Sequence, residues 1–141
     1  MKKFLNTYAG RYLIFGLCLF AVVIGVAMVE AHFRIDVAMT DTEITIHSNR
    51  YNLRVEYGLI ESAELVEMPD RGDAIDGKDE TSIRYGNWTN DTWGNYTVLA
   101  IPNATNCVVM HLTDGRTFVF NAQSNDYTTE LFQELQGHLN K

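Results

Sequence analysis

The sequence predicts a mainly β domain that ends in one α-helix and follows one N-terminal transmembrane helix. Three observations support this fold class. Residues 13–29 form an unbroken apolar run, apolar and polar side chains alternate repeatedly between residues 32 and 120, and one segment near the C-terminus has helical periodicity. Alternation with period two is typical of half-buried strands, whereas apolar residues three and four positions apart are typical of an amphipathic helix.

The apolar run, LIFGLCLFAVVIGVAMV, covers roughly 26 Å as a helix, which with its neighbours matches a hydrocarbon core of about 30 Å. Lys2, Lys3 and Arg11 precede it, and every acidic residue of the chain follows it. This bias predicts a cytoplasmic segment at residues 1–11, a span at 12–29 and an extracytoplasmic domain at 30–141. A cleaved signal peptide is the alternative, although its apolar region usually has only about 7–15 residues.

The composition of residues 30–141 excludes some partners. This segment carries 8 Lys and Arg against 18 Asp and Glu, a net charge of −10. Binding to nucleic acid or to anionic headgroups depends on clustered cations, so neither is expected to bind this domain. Its single cysteine, Cys107, cannot form a disulfide within the domain and is either buried or paired between chains.

Short strands separated by turns are predicted along most of the domain. Residues 70–80 interrupt them with Asp, Gly and charge, which is typical of a long exposed loop. Asp114-Gly115 is typical of a tight hairpin between the last two strands. The pattern predicts an antiparallel β-barrel or sandwich of seven or eight strands, at residues 32–39, 43–48, 53–57, 60–68, 83–88, 96–101, 107–112 and 117–120.

The final segment has the pattern of a capped helix. Asn125 or Asp126 can accept hydrogen bonds from the free N–H groups of the first turn. One apolar stripe follows at helical spacing, and it is wide enough to close a barrel end or cover a sheet face. The stripe consists of Leu131, Phe132, Leu135 and Leu139.

Six passages stand in a recognisable order: IESAEL at 60–65, EMP at 67–69, IRYGNW at 83–88 with WG at 93–94, TDG at 113–115, FVFN at 118–121 and the helix start at 130–135. In this order they resemble the bacterial pleckstrin-homology-like (PH-like) domain family of membrane-associated proteins. The resemblance implies a PH-like barrel capped by its C-terminal helix, and a membrane-anchored member of the family. It implies function only loosely, because one fold hosts many roles.

Aromatic residues concentrated among Asn and Thr form the candidate binding region. Such rings beside amides can stack on a glycan or grip a peptide, because aromatics dominate many binding surfaces. They can equally cap a barrel core. The four residues are Tyr85, Trp88, Trp93 and Tyr96.

The acidic loop is the candidate cation site, since Ca²⁺ takes six to eight oxygen ligands. Its carboxylates recur at every third position, which differs from the alternating ligands of an EF-hand. We therefore expect solvated charge and no resident metal or other cofactor. The residues are Asp70, Asp73, Asp76 and Asp79.

No nucleophile–base motif stands out, so we expect a non-enzymatic domain, with a hydrolase as the least favoured alternative. The preferred hypothesis is a protein-interaction or scaffold module at the cell surface. The alternative is a cell-envelope binder of glycan or peptide that uses the aromatic region. Phosphoinositide binding is not expected, because only Arg50 and Arg54 offer positive charge where such domains grip phosphates.

Overall fold

The structure, a computed structural model, describes residues 8–32 and 34–141, which form two compact units divided after His32. The first unit is helix α1 (Tyr8–His32). Its stretch Tyr8–Val29 is long and apolar enough to cross a membrane, and its large apolar side chains are exposed. At 1.5 Å per residue these 22 residues extend about 33 Å, close to the thickness of a hydrocarbon core.

The second unit is mainly β. The strand predicted to begin at His32 begins at Asp36 instead, because α1 continues through His32; residue 33 lies outside the described residues. Eight strands coincide with the predicted ones to within a few residues, and two short strands are additional. The described elements are β1 (Asp36–Met39), β2 (Glu43–His47), β3 (Asn52–Glu56), a 3₁₀ turn (Tyr57–Leu59), β4 (Ile60–Glu67), β5 (Asp73–Ala74), β6 (Lys78–Asp79), β7 (Arg84–Asn90), β8 (Gly94–Ala100), β9 (Asn106–Leu112), β10 (Thr117–Phe120) and helix α2 (Asn125–Leu139).

The strands form two sheets. The smaller is an antiparallel meander in the order β1-β2-β3. The larger has the order β4-β9-β10-β8-β7-β5, and β6 also pairs with β7. The four consecutive short strands at residues 32–68 predict a single meander, and this prediction is wrong for β4. The 3₁₀ turn redirects the chain, and β4 pairs with β9.

The prediction of a wholly antiparallel domain is also wrong, since β8 and β10 are parallel. Strands β8 and β9 follow each other in sequence but do not pair. Strand β10 forms a hairpin with β9 and lies between β9 and β8 in the sheet. The side chain of Asn121, fully buried directly after β10, holds the β8–β9 connection. Its Oδ1 accepts from the Ile101 N–H (2.7 Å), and its Nδ2 donates to the carbonyls of Ile101 (3.1 Å) and Ala104 (2.8 Å).

The predicted loop at residues 70–80 is an edge of the larger sheet. Strands β5 and β6 pair with β7, and the residues between them form a bulge. The N–H groups of Ile75 and Gly77 both donate to the Asn87 carbonyl, at 3.0 and 3.1 Å. The composition of residues 70–80 does not indicate strands, because most of the exposed side chains are charged. The glycine at position 77 allows the backbone to approach Trp88 of β7.

Both faces of the larger sheet are apolar. One face packs against the smaller sheet and α2. The core between these elements includes the fully buried residues Ile44, Met110, Phe120 and Leu135. The opposite face forms a second cluster of seven buried residues: Trp88, Tyr96, Val98, Ala100, Cys107, Val109 and Val119. Cys107 is therefore buried, as the apolar strand around it favoured.

The larger sheet curls around this second cluster. The segment that follows β4 crosses the face, because Asn90 Nδ2 donates to the Asp70 carbonyl (3.0 Å) and Tyr96 Oη donates to the Arg71 carbonyl (2.7 Å). Glu67 of β4 and Asp79 of β6, which belong to opposite edges, line one pocket. The two edges of the sheet therefore approach each other at this end.

Helix α2 begins one residue earlier than predicted. Ser124 is the N-cap, and its hydroxyl accepts from the Tyr127 N–H at 3.1 Å. Asn125 does not cap the helix, because its amide bonds to the start of β9: its Oδ1 accepts from Asn106 N–H (2.9 Å) and its Nδ2 donates to Thr105 Oγ1 (3.1 Å).

Candidate functional site

The four aromatic residues predicted for binding do not share one surface. Trp88 and Tyr96 are cross-strand partners inside the curled sheet, only 5% and 2% exposed, and Trp93 packs edge-on against Tyr96 with ring centroids 5.1 Å apart. Tyr85 is three residues from Trp88 and lies on the opposite face, where its ring is 5.9 Å from that of Tyr51. The structure thus brings three of the four together in a core cluster, and their binding role stays a prediction.

Two of the acidic residues of the predicted loop, Asp76 and Asp79, are engaged in contacts that hold the sheet edge. Both carboxylate oxygens of Asp76 accept from Asn87, at 3.0 Å from its backbone N–H and 3.1 Å from its Nδ2. Asp79 pairs with Arg71 and with Arg84. Among the described residues, no group of three or more His, Cys, Asp or Glu is arranged to hold a metal ion.

A pocket of about 250 Å³ opens where the edges of the larger sheet approach each other. Arg84 projects into it from β7, 3.4 Å from the Asp79 carboxylate, and its guanidinium lies 5.5 Å from the centroid of the Trp88 ring. The polar groups of Asn121 at its floor are all hydrogen-bonded. Arg84, Asp79 and Asn121 are therefore already engaged in this pocket.

A larger concavity lies between strand β4 and the C-terminal part of α2, and we refer to it as the β4–α2 groove. Its volume is about 500 Å³, within the usual range of roughly 300–1,000 Å³ for ligand sites. One wall is formed by residues 57–58 and 60–63, and the other by Gln136 and residues 138–140. Gln136 Nε2 donates to the Ala63 carbonyl at 3.1 Å, so this carbonyl points away from β9 and into the groove.

A buried hydroxyl without a partner lies at one end of the groove. Tyr57 Oη makes no hydrogen bond within the described part of the chain, which is unusual for a buried polar group. The Tyr57 ring stacks on His138 with centroids 4.9 Å apart. Burial raises the pKa of Tyr57, and the negative charges of Glu134, Asp41 and Glu43 raise it further.

One carboxylate lines the groove, and a second lies near it. Glu61 lines it, and Glu134 is close enough to Tyr57 to affect its hydroxyl. Neither glutamate forms an ion pair with another described residue, whereas each arginine within residues 34–141 has a carboxylate partner. No local sequence pattern predicts this site, because the groove depends on where α2 packs and on which strand ends the sheet.

Comparison with known proteins does not extend these observations. No family model matches the chain, and neither a curated protein nor a solved structure is significantly similar to it.

Proposed function

We propose that the chain is a single-pass membrane protein whose domain, residues 30–141, is a non-enzymatic protein-interaction module at the cell surface. The observation that carries the proposal is the β4–α2 groove, where a sheet edge and a helix form a concave wall of a size suited to a ligand. Extended peptides commonly bind at such edges because main-chain hydrogen bonds supply affinity.

Helix α1 supports the membrane part of the proposal. Its apolar side chains are exposed within its own compact unit, so they require an apolar environment that the described chain does not supply. Lys2, Lys3 and Arg11 favour a cytoplasmic N-terminus. If it is not cleaved, this helix anchors the acidic domain in the membrane. Anchoring then requires no attraction between the domain and anionic lipid.

We also propose that the domain is PH-like. The passages named above support this, as does a C-terminal helix that follows the last β-hairpin and packs on a sheet. The parallel β8–β10 pair departs from the antiparallel arrangement that the resemblance implies. The interaction function does not depend on this assignment, because it rests on the groove.

Site-specific photo-crosslinking of the full chain at native levels in cells tests the function. The crosslinker replaces Ser62, which is exposed and lines the groove, or Thr92, which is exposed in the turn between β7 and β8 beside the aromatic region. We expect a protein adduct from position 62 and none from position 92. An adduct from position 92 alone favours the aromatic region, and no adduct from either position argues against an interaction module.

Protease added to intact cells tests the topology. We expect removal of the domain and survival of a membrane-embedded fragment that contains α1. Full protection of the domain in intact cells, with cleavage only after lysis, reverses the proposed orientation. Release of the untreated domain into the medium identifies α1 as a cleaved signal peptide.

A further inference from the structure

The backbone of β4 offers free hydrogen-bonding groups along the groove. In an antiparallel ladder, the N–H and C=O of one residue point to the same side, and successive residues alternate. Met68 N–H donates to Thr105 on the β9 side (2.8 Å), and the Ala63 carbonyl points the opposite way toward Gln136. By this alternation the backbone groups of Glu64 and Val66 face β9, whereas those of Ala63 and Leu65 face the free side of β4. Ala63 lines the groove, and Leu65 continues the same edge beyond it.

This edge has the length needed to bind an extended segment. Strand β4 is eight residues long, about 27 Å, and within the described chain it pairs only with β9. The Gln136 amide satisfies one edge carbonyl in the free domain, and a bound strand can replace that bond. Tyr57 Oη adds a buried hydroxyl that can pair with a ligand at the end of the groove.

Charge selects among the peptides that such an edge can bind. Glu61 lines the groove, Glu134 is near its Tyr57 end, and the arginines of the domain are paired with other carboxylates. The domain carries a net charge of −10. An acidic segment is therefore repelled, whereas Lys or Arg side chains beside Glu61 gain favourable interactions and faster association.

On the basis of the proposed function, we infer that the β4–α2 groove binds an extended, basic peptide segment of a partner protein as an additional strand beside β4. Its backbone pairs with Ala63 and Leu65, and a basic side chain lies beside Glu61. The partner is thus defined by chemistry, as a chain with an exposed segment in which Lys or Arg alternates with apolar residues.

The test uses the full chain in phosphatidylcholine nanodiscs and an end-blocked octapeptide of alternating Lys and Val, with a Glu and Val octapeptide as the matched probe. Binding is measured by titration, and amide hydrogen exchange is resolved at each residue. We expect the basic peptide to bind and to slow exchange at Ala63 and Leu65. We expect the acidic peptide to bind at least tenfold more weakly.

A pair of charge reversals locates the site. Glu61 and Glu130 are both exposed, but Glu130 lies in the first half of α2, outside the groove. Glu61→Lys should weaken binding of the basic peptide about tenfold, equivalent to about 1.4 kcal/mol, whereas Glu130→Lys should change it less than twofold. Equal effects of the two reversals would overturn the assignment to the groove.

The other outcomes separate this inference from the proposed function. If position 62 crosslinks a partner in cells but the basic peptide does not slow exchange along β4, the interaction function stands and strand addition is wrong. If the peptide pairs with β4 but no adduct forms in cells, the groove chemistry stands and the function is wrong. Slowing of the same amides by increased protein concentration alone would identify a second copy as the occupant and overturn the inference.

Discussion

The two edges of the larger sheet differ in how their backbone groups are covered. At the β5–β6 edge, a bulge directs the N–H groups of residues 75–77 toward the carbonyl of Asn87, and the Asp76 carboxylate accepts two further hydrogen bonds from that residue. At the β4 edge, the ladder with β9 is regular from Ser62 to Glu67, and one side chain, Gln136, bonds to its free side.

Proteins commonly protect edge strands with bulges, short strands and charged residues, because an unpaired edge can pair with another chain. The β5–β6 edge has all three features. The β4 edge is eight residues long, and its one register shift, between Ile60 and Ser62, leaves the ladder regular over the rest of the strand. If the domain binds a partner strand, we therefore expect it at the β4 edge.

Proline substitutions along β4 test which backbone groups are free. Val66→Pro removes an N–H that faces β9, and Leu65→Pro removes one that faces the free side of β4. We expect Val66→Pro to lower the free energy of unfolding by about 4 kcal/mol and Leu65→Pro by about 2 kcal/mol, because proline is tolerated where its missing N–H points away from the ladder. Denaturant titration of the full chain in detergent, followed by tryptophan fluorescence, measures both.

Leu65 and Val66 are both partly buried apolar residues, so loss of the side chain lowers the free energy of unfolding in both variants. The difference between the two losses measures the contribution of the β4–β9 hydrogen bond. Equal losses would show that the backbone N–H groups of Leu65 and Val66 do not differ in their hydrogen bonding, which contradicts a free side of β4.

An added methyl group at Gly77 tests the close approach at the opposite edge. A Cβ there would lie 2.0 Å from Trp88 Nε1, and the indole is held in the second cluster. Gly77→Ala should therefore lower the free energy of unfolding by about 2 kcal/mol through overpacking. Gly58→Ala is the matched control at the β4 side, since nothing lies within 4 Å of its Cβ position. A loss at Gly58 as large as at Gly77 would contradict the contrast between the edges.

The sequence predicted strands well where side chains alternate, and poorly where backbone geometry decides. Strands such as β2 and β9 have apolar residues facing a core, and their positions were confirmed. Strands β5 and β6 were missed because their side chains are exposed and two residues are too few to show a period. The parallel β8–β10 pair depends on strand order, which local periodicity does not encode.

The candidate site shows the same limit. Tyr85 and Trp88 are separated by three residues, and strand alternation alone places them on opposite faces. That signal was present in the sequence and argues against a single aromatic surface. The β4–α2 groove had no comparable signal, because Gln136 and Ala63 are 73 positions apart and meet only through packing of α2.

The pH dependence of stability reports on the strand next to the β4 edge. Burial raises the pKa of Cys107, which pairs with Val66 across the β4–β9 ladder, from its ordinary value of 9.0 to about 12. Below pH 9 the thiol is protonated in both the folded and the unfolded state. Above pH 9 the unfolded thiol ionises first, so the free energy of unfolding falls as pH rises toward 12.

Between pH 8 and pH 10 this loss should be about 1.4 kcal/mol for Cys107. Cys107→Ala is the control: its lower baseline reflects the lost side chain, and its slope lacks the thiol contribution. The difference in slope between the two proteins isolates the contribution of Cys107 from those of the other ionisable groups. Identical slopes would indicate that the thiol is exposed to solvent through an open β4 edge.

The smallest effect is expected at the bulge itself. Asp76→Ala removes two hydrogen bonds to Asn87 at an exposed position, so we expect a loss of about 1 kcal/mol and faster amide exchange at residues 75–77. Asp73→Ala is the matched control, because Asp73 is also exposed on this edge and its carboxylate has no hydrogen bond or ion pair among the described residues.

If Asp76→Ala leaves exchange unchanged, the backbone alone maintains the bulge, and the protection of this edge does not depend on the carboxylate. If exchange becomes faster in Asp76→Ala but not in Asp73→Ala, the Asp76 side chain alone keeps the backbone groups of this edge covered. The same substitution should then give the β5–β6 edge a measurable affinity for the alternating Lys and Val peptide, which the wild-type edge lacks.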